Sequence, residues 1–272
     1  MSQQKVVWVD SFTDQPFAGN PAAVCVVEEA LDATRMQLIA RELSLSETAF
    51  VQRRGRDGAD FDLRWFTPAA EVELCGHATL ASAHALWQDG FAGIDETISF
   101  HCLSGVLTCK QEAGWIEMDF PIQKAEASTA PSEIWKAIDA VPKWVGKNPS
   151  DYLIEVDSEE TLLHIQPDMS RLEAIPARGF IVTSPPSEER RAAGVDFVSR
   201  FFGPAVGVPE DPVTGSAHCC LAPFWGERLG KEEMVGYQAS ERGGTVRVRW
   251  NGGDRVQLRG QAVTVLRAEL LV

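Results

Sequence analysis

The amino-acid sequence predicts an α+β protein made of two related halves, in each of which a sheet wraps around a buried helix. Strand-type segments rich in β-branched and aromatic residues dominate the chain from end to end. Two helical segments are apolar on all sides, which is typical of helices that are buried all round. A sequence repeat assigns one of these helices to each half.

The strand predictions rest on short apolar or alternating runs separated by glycine-rich turns. Examples from the first half are KVVWVDSF, ETAFVQR and WIEMDFP, and examples from the second half are YLIEV, TLLHIQP, GFIVTSP and TVRVRW. Helices are predicted at residues 33–43, 76–87, 132–140 and 215–229. Pro223 lies inside the last of these and is expected to kink or delay the helix, because proline cannot donate the backbone hydrogen bond.

The repeat pairs the segment RWFTPA, which begins at Arg64, with RFFGPA, which begins at Arg200, 136 residues later. After a three-residue insertion in the second copy, the triplet GHA at Gly76 aligns with GSA at Gly215. Each copy therefore contains a strand, a Pro-Ala turn, a loop, a glycine and a helix in the same order. This agreement in order favours duplication of a common unit.

Length and charge limit the possible functions. A chain of 272 residues is long enough for one large domain or two ordinary ones. The formal net charge is −14 at pH 7, so the protein as a whole does not attract phosphate backbones or anionic lipid surfaces. Nucleic acid and membrane are therefore not expected as partners, and an anionic substrate would need a local positive feature.

The cellular location is predicted from targeting signals and cysteines. The sequence has no run of eighteen apolar residues, and its first residues lack the apolar core of a signal peptide. The six cysteines match no metal motif, and the adjacent pair Cys219 and Cys220 would make a poor disulfide. Reduced thiols in the cytoplasm are the expected state.

The starts of the two apolar helices are candidate binding sites. Each is a turn of small residues, CGHAT around Gly76 and TGSAH around Gly215. Free N–H groups at a helix start carry partial positive charge, and glycine allows a ligand to approach the backbone. The pair is predicted to bind a small carboxylate without a lysine or arginine. The alternative is that both are ordinary helix starts with no ligand.

Several long motifs carry a family resemblance. These are VDSFTDQPFAGNPAAVCVV, LSLSETAF, RWFTPAAEVELCGHATLASAHAL, EDPVTGSAHCCLAPFWGERLGK, QASERGGTVRV and VQLRGQAVTV. They occur in order along nearly the whole chain, which resembles the phenazine biosynthesis PhzF-like family. The resemblance implies a diaminopimelate epimerase-like fold with two pseudo-symmetric halves, each a barrel-like, mostly antiparallel sheet around a central helix.

The same resemblance implies the organisation and the reaction class. The halves are expected at residues 1–122, completed by a returning strand at 261–272, and at residues 123–260, with the active site between them. The activity that the resemblance implies is isomerisation of a dihydro-hydroxyanthranilate by proton transfer without a cofactor. For this chain it implies an isomerase of a small carboxylic or amino-acid-like substrate, and a homodimer.

Three residues are predicted to be catalytic by this resemblance. Glu47 would be the general acid/base, with a pKa that burial raises toward neutrality. His77 would bind substrate or move a proton, and Asp211 would orient or polarise the substrate. The alternatives are a helix capping box formed by Ser44 and Glu47, a structural histidine, and an Asp-Pro turn.

Four further residues are predicted to bind substrate. Ser216 and the backbone amide of Gly215 would hold a carboxylate, Gly76 would leave room for the ligand, and Asn20 would face the cleft. The alternative for Ser216 is helix capping. The sequence has no metal-ligand spacing, phosphate loop or dinucleotide fingerprint, so neither a metal nor a cofactor is predicted.

Cys75 marks the main alternative function. The related epimerases and proline racemases use one cysteine from each half, and Cys75 stands where the first would be. The repeat aligns Cys75 with Thr214, and a threonine hydroxyl cannot replace a thiol as an acid/base near neutral pH. An amino-acid racemase or epimerase using Cys75 is therefore a second hypothesis, and a non-catalytic small-molecule-binding protein is a third.

Overall fold

A computed structural model describes residues 3–28, 31–55, 60–129 and 131–271. The chain divides into two compact units, Met1–Asp119 with Arg259–Val272, and Phe120–Leu258. Each unit combines a mixed, mostly antiparallel sheet with helices, which confirms the predicted α+β class. No helix among the described residues is long and apolar enough to cross a membrane.

The first unit begins and ends with paired strands. Strand β18 runs antiparallel to β1, with Gln3 opposite Leu271 and Ser11 opposite Ala262. The elements of this unit are β1 Gln3–Ser11, β2 Asn20–Val27, α1 Ala33–Leu43, β3 Glu47–Arg53, β4 Asp60–Phe66, β5 Glu71–Val72, α2 Gly76–Gln88, β6 Ile98–Cys102, β7 Gly105–Glu112, β8 Trp115–Pro121, which continues past the unit boundary, and β18 Ala262–Leu271.

The second unit contains the remaining elements. They are β9 Glu126–Ala127, α3 Ser132–Ile138, β10 Trp144–Lys147, β11 Asp151–Glu155, α4 Glu159–His164, α5 Met169–Glu173, β12 Gly179–Ser184, α6 Glu188–Ala192, β13 Phe197–Gly203, a 3-10 turn Pro204–Val206, β14 Val208–Asp211, α7 Gly215–Leu229, β15 Glu233–Gln238, β16 Gly244–Arg249 and β17 Arg255–Gly260, which runs past the boundary.

The two units repeat one pairing scheme. In the first, β2 and β3 are parallel, β3 and β4 antiparallel, and β4 and β6 parallel. In the second, the same relations hold for β11 and β12, β12 and β13, and β13 and β15. The register also agrees. Phe66 pairs with Thr48, the second residue of β3, and its repeat partner Phe202 pairs with Phe180, the second residue of β12. The predicted duplication is therefore visible in the backbone.

The predicted apolar helices occupy the interior of their units. Nearly every residue of α2 from His77 to Trp87 is buried, and α2 contacts β1, β2 and β3. Helix α7 is buried from Ala217 to Gly226 and contacts β15 and β16. Helix α7 continues through Pro223. Pro223 has no N–H to donate to the carbonyl of Cys219, four residues before it. This carbonyl instead accepts the backbone N–H of Gln123 at 3.1 Å.

One strand prediction is wrong. The segment TLLHIQP was expected to be a strand, but most of it lies in α4, which begins at Glu159. The side chain of Ser158 caps this helix by accepting the backbone N–H of Thr161 at 3.1 Å. Glu159 and Glu160 lie in the first turn, where negative charge stabilises a helix start. The cap and the acidic turn outweigh the strand preference of the aliphatic residues.

Candidate active site

Glu47 is placed by the junction between helix α1 and strand β3. Ser44 ends the helix in a left-handed conformation with φ 56°, and its backbone N–H donates to Ala40 O at 3.1 Å. Glu47 is then the first residue of β3 and lies opposite Ala22 of the parallel strand β2. The capping-box alternative for Ser44 and Glu47 is therefore wrong, because Ser44 ends a helix and Glu47 begins a strand.

Glu47 and His77 form a buried ion pair. Oε2 of Glu47 lies 3.1 Å from Nε2 of His77, and the two side chains are 16% and 6% exposed. Oε2 makes no well-aligned hydrogen bond with any residue in the described part of the chain. The Ser46 hydroxyl lies 3.4 Å from the same imidazole nitrogen. The arrangement places a buried carboxylate oxygen in an ion-pair contact with the imidazole, without a well-aligned hydrogen bond.

The ion pair corrects one prediction about Glu47. Burial alone raises the pKa of Glu47, as expected, but the charge and hydrogen bonding of His77 outweigh burial and leave the pKa below its usual value. Burial alone would lower the pKa of His77, whereas its contacts with Cys75 and Glu47 hold that pKa well above its usual value. At neutral pH the resting pair is therefore carboxylate and imidazolium.

Cys75 lies on the other side of the same imidazole. Its Sγ is 3.5 Å from Nδ1 of His77, and the residue is buried immediately before α2. Burial and the charge of Glu47 raise the pKa of the Cys75 thiol, so the thiol is protonated at neutral pH. Donor atoms of Glu47, Cys75 and His77 lie within 4.8 Å of one another and could together hold a metal ion.

Asn20 and Gly76 complete the predicted residues of the first unit. Asn20 is buried at the start of β2, and Oδ1 accepts the Ser46 hydroxyl at 3.3 Å. Gly76 begins α2, whose first residues receive no hydrogen bond from the side chain of the preceding Cys75. The Ser11 hydroxyl donates to the carbonyl of His77 at 2.8 Å and fixes this first turn. The structure thus brings Asn20, Glu47, Gly76 and His77 into one contact network.

A glycine before Asn20 is required by its surroundings. Gly19 has φ +66°, and a Cβ there would lie 2.2 Å from the backbone oxygen of Ser11. Gly55 has φ +73°, yet a Cβ there would meet no described atom within 4 Å. We expect Gly55→Ala to cost about 1 kcal/mol from the left-handed backbone alone. Gly19→Ala should cost at least about 2 kcal/mol more, because the clashing atom is backbone.

Urea denaturation of the two alanine variants measures this difference directly, because both lose a glycine at positive φ. Equal losses in the two variants would contradict the assigned packing of the 11–20 segment.

In the second unit, Asp211 organises the start of α7. Oδ2 of Asp211 accepts the hydroxyl of Thr214 at 2.5 Å, and Gln238 donates to the Asp211 carbonyl at 2.7 Å. Oε1 of Gln238 accepts the backbone N–H of Thr214 at 2.9 Å. Thr214 precedes the helix but gives it no side-chain cap, because its hydroxyl points to Asp211. Gly215 and Ser216 then begin the helix.

An arginine that no sequence pattern indicates lies at this helix start. Nη2 of Arg178 donates to the Ser216 hydroxyl at 3.0 Å, and Nε donates to Oδ1 of buried Asp151 at 2.8 Å. An arginine therefore lies beside the start of α7, where the sequence predicted carboxylate binding without a lysine or arginine. Arg178 lies 38 residues from Ser216 in the chain, so no local pattern reveals the contact.

A repeated arginine–glutamate pair holds the loop before each buried helix. Arg64 donates to both carboxylate oxygens of Glu71 at 2.7 Å. Arg200 donates to both oxygens of Glu210 at 2.7 and 2.9 Å. Bidentate pairs of this kind fix geometry in two directions. Comparison of the two repeat copies could have found them, since both pairs flank the three-residue insertion.

The family follows from a comparison with known proteins. The family model described as "Phenazine biosynthesis-like protein" matches residues 9–268. The chain belongs to this family. A protein of Halalkalibacterium halodurans named as an uncharacterized isomerase is 52% identical over 265 residues, which is 97% of each chain. The crystal structure of a family member from Enterococcus faecalis has a TM-score of 0.92 and 37% identity, covering 100% of both chains.

A more distant comparison concerns the fold alone. A hydroxyproline epimerase from Agrobacterium vitis has a TM-score of 0.65 at 10% identity and covers 98% of this chain and 92% of its own. The phenazine biosynthesis-like chain therefore shares the epimerase-type fold that its motifs predicted. The family match and the relative named as an isomerase support an isomerase-type function.

Proposed function

We propose that this phenazine biosynthesis-like protein is an isomerase that moves a proton between two carbon atoms of a small carboxylic or amino-acid-like substrate, using its own side chains. The observation that carries the proposal is the buried Glu47–His77 pair. General acid–base chemistry needs a carboxylate and a neighbouring group that stabilises its charge. Oε2 of Glu47 and the imidazole of His77 supply these two features.

The repeat supports a single carbon acid/base. In the shared register, Gly179 of the second unit takes the place of Glu47. Ser216 takes the place of His77, and Thr214 the place of Cys75. A side chain at Gly179 would force Phe201 to move, because a Cβ there would lie 2.2 Å from Cζ of Phe201. With no counterpart of the Glu47–His77 pair in that unit, the same carboxyl group that takes the proton is expected to return it.

The proposed reaction has two balanced steps. The Glu47 carboxylate takes a proton from an activated carbon, and the electron pair of the broken C–H bond enters a conjugated system of the substrate. The resulting carboxylic acid then gives the proton to another carbon of that system, and the double bond moves. Because His77 lowers the pKa of Glu47, the base is weak, so the substrate must carry an acidic C–H bond.

The other predicted residues keep supporting roles in this proposal. Imidazolium His77 stabilises the carboxylate form of Glu47 between turnovers. Asp211 orients the substrate, and Asn20 and Gly76 line its binding site. Gly215 and Ser216 bind a substrate carboxylate.

Proton exchange in deuterium oxide, followed by NMR, tests the reaction class. The panel is small carboxylic and amino acids, including a dihydro-hydroxyanthranilate. We expect deuterium to enter the product at a carbon other than the one that loses its proton. Deuterium that enters only at the α-carbon of an amino acid, with loss of optical activity, would contradict the isomerase and indicate a racemase.

A racemase or epimerase that uses Cys75 is the second candidate, and the 3.5 Å contact between Cys75 and His77 is the observation that favours it. The protonated thiol and the threonine at the matching position disfavour it. We expect Cys75→Ser to keep at least about a tenth of the exchange rate, because a serine hydroxyl can occupy the same space without acting as the base. A Cys75→Ser protein without exchange would favour the racemase.

The assembly and the location stay predictions. We propose a homodimer, as the family resemblance implies. We also propose that it acts in the cytoplasm, where its cysteines are expected to stay reduced. Light scattering of the purified protein measures the first, and a mass of about 30 kDa would contradict it, since the chain itself is 29.8 kDa.

A further inference from the structure

Arg178 lies beside the residues that are proposed to bind the substrate carboxylate. Its guanidinium contacts the Ser216 hydroxyl at 3.0 Å, beside the start of α7. Two of its nitrogens, Nε and Nη2, also donate to the two carboxylate oxygens of Asp151, which is 1% exposed. The buried carboxylate therefore fixes the plane and direction of the guanidinium.

The fixed guanidinium keeps donors that no described residue uses. Arg178 donates its hydrogen bonds to described residues through Nε and Nη2. None of the described residues accepts a hydrogen bond from Nη1. The side chain is 38% exposed, so a small ligand can reach it. The Ser216 hydroxyl accepts from Arg178 and is thereby oriented to donate its own hydrogen elsewhere.

The adjoining helix start adds donors to the same place. Thr214 gives its hydroxyl to Asp211 and leaves the first turn of α7 without a side-chain cap. These donors matter because the protein as a whole is acidic. Arg178 and Asp151 together are neutral, and the Asp211 carboxylate also acts on Arg178, so a carboxylate would be held here by directed N–H and O–H donors and not by net charge.

We infer that Arg178 binds the carboxylate of the substrate, together with Ser216 and the backbone amide of Gly215. The inference deepens the proposed function and rests on it for the identity of the ligand. It assigns the two repeat copies different tasks, because Arg178 stands where the first unit has Ser46, which contacts His77. One copy carries the proton-transferring pair, and the other carries the carboxylate-binding arginine.

Acetate is the probe, and acetamide, which has the same shape without the charge, is its control. The backbone amide signals of Gly215 and Ser216 are followed by NMR as each compound is added up to about 100 mM, which detects millimolar affinity. We expect saturable shifts with acetate and none with acetamide. In Arg178→Lys, which keeps the charge but loses the planar fork, the affinity for acetate should fall about tenfold or more.

Two further variants separate binding from folding. The double variant Asp151→Asn, Arg178→Gln removes the arginine without leaving a buried charge unpaired, and it should lose acetate binding while keeping the native amide spectrum. Arg171→Gln removes an exposed arginine that pairs with Asp168 in the same unit, and it should bind acetate like the wild type. Unchanged acetate affinity in both Arg178 variants, or no acetate shift in the wild type, would overturn the inference.

The acetate-binding test does not depend on whether the protein catalyses the proposed reaction. Acetate binding that depends on Arg178, in a protein that exchanges no carbon-bound proton, would leave this inference standing and refute the isomerase. Proton exchange that depends on Glu47, with acetate binding indifferent to Arg178, would do the reverse.

Discussion

Glu47→Gln is expected to lower the rate of carbon-proton exchange by about a thousandfold, within the range that general acid–base groups contribute. Glutamine has nearly the shape of glutamate, so the start of β3 should be preserved. The amide cannot accept a proton from carbon, however, and the whole effect should therefore fall on turnover. A substrate or carboxylate probe should bind the variant with an affinity close to that of the wild type.

The matched control is Glu42→Gln, the same change at an exposed position of helix α1 in the same unit. It should leave the exchange rate unchanged. If Glu47→Gln kept more than about a tenth of the wild-type rate, Glu47 could not be the base, since removal of such a group costs at least about a hundredfold.

The pH dependence of exchange should report the same pair. His77 holds the pKa of Glu47 below its usual value of 4.5, so the acidic decline of the rate should begin below that pH. Mutation of His77 to Gln removes the imidazolium, and burial then raises the pKa of Glu47. The acidic decline should move to higher pH in this variant. A decline at the same pH in both proteins would show that His77 does not act on Glu47.

The stability of the protein is expected to fall by about 3 kcal/mol between pH 8 and pH 4 through His218 alone, from a pKa difference converted at about 1.4 kcal/mol per unit. His218 is fully buried in α7, where Nδ1 lies 2.8 Å from the carbonyl of Thr214. Nε2 is buried without a hydrogen-bond partner among the described residues, and burial lowers the pKa to about 4.

The sign follows from proton binding. Below the unfolded pKa of 6.5, the unfolded chain binds a proton that the native His218 refuses until about pH 4. The unfolded state is therefore favoured as the pH falls through this window, and the stability present above pH 6.5 is lost progressively. The loss should reach about 2 kcal/mol at pH 5 by the same relation.

Urea denaturation of wild type and His218→Gln at several pH values isolates this effect. The variant should be less stable at pH 8, yet it should lose about 3 kcal/mol less than the wild type on going to pH 4. His164→Gln, which removes an exposed histidine of the same unit, should follow the wild type. Equal losses in wild type and His218→Gln would refute the assignment of a neutral buried His218.

The fold was predictable where a local sequence pattern or a repeated motif indicates the structure. Helix α1 has the predicted bounds, because its apolar face is periodic and Asp32 caps its first turn. The duplication was predictable from the repeated RWFTPA and RFFGPA segments and reappears in the matching register of β4 and β13. The aliphatic run of α4 alone predicts a strand, whereas the Ser158 cap favours the helix that the structure shows.

The residues of the site were predictable from the sequence, but the pKa shifts that they impose on one another were not. Glu47 and His77 lie 30 residues apart, and only the structure shows the 3.1 Å contact that reverses the expected pKa shift of Glu47. Arg178 lies in a segment where the family motifs are weakest, and it reaches Ser216 only because β12 starts beside α7. Such contacts depend on tertiary structure, which spacing along the chain does not encode.

The pairing of β1 with β18 has a consequence for synthesis on the ribosome. Gln3 is paired with Leu271 in the sheet, so β1 receives this neighbour only after all the residues between the two strands have been translated. The elements of the second unit, which end with β17, emerge before β18 does. Domains usually fold in the order in which they are translated. Here the unit that is begun first is the one completed last, and an edge of β1 stays exposed to other chains until then.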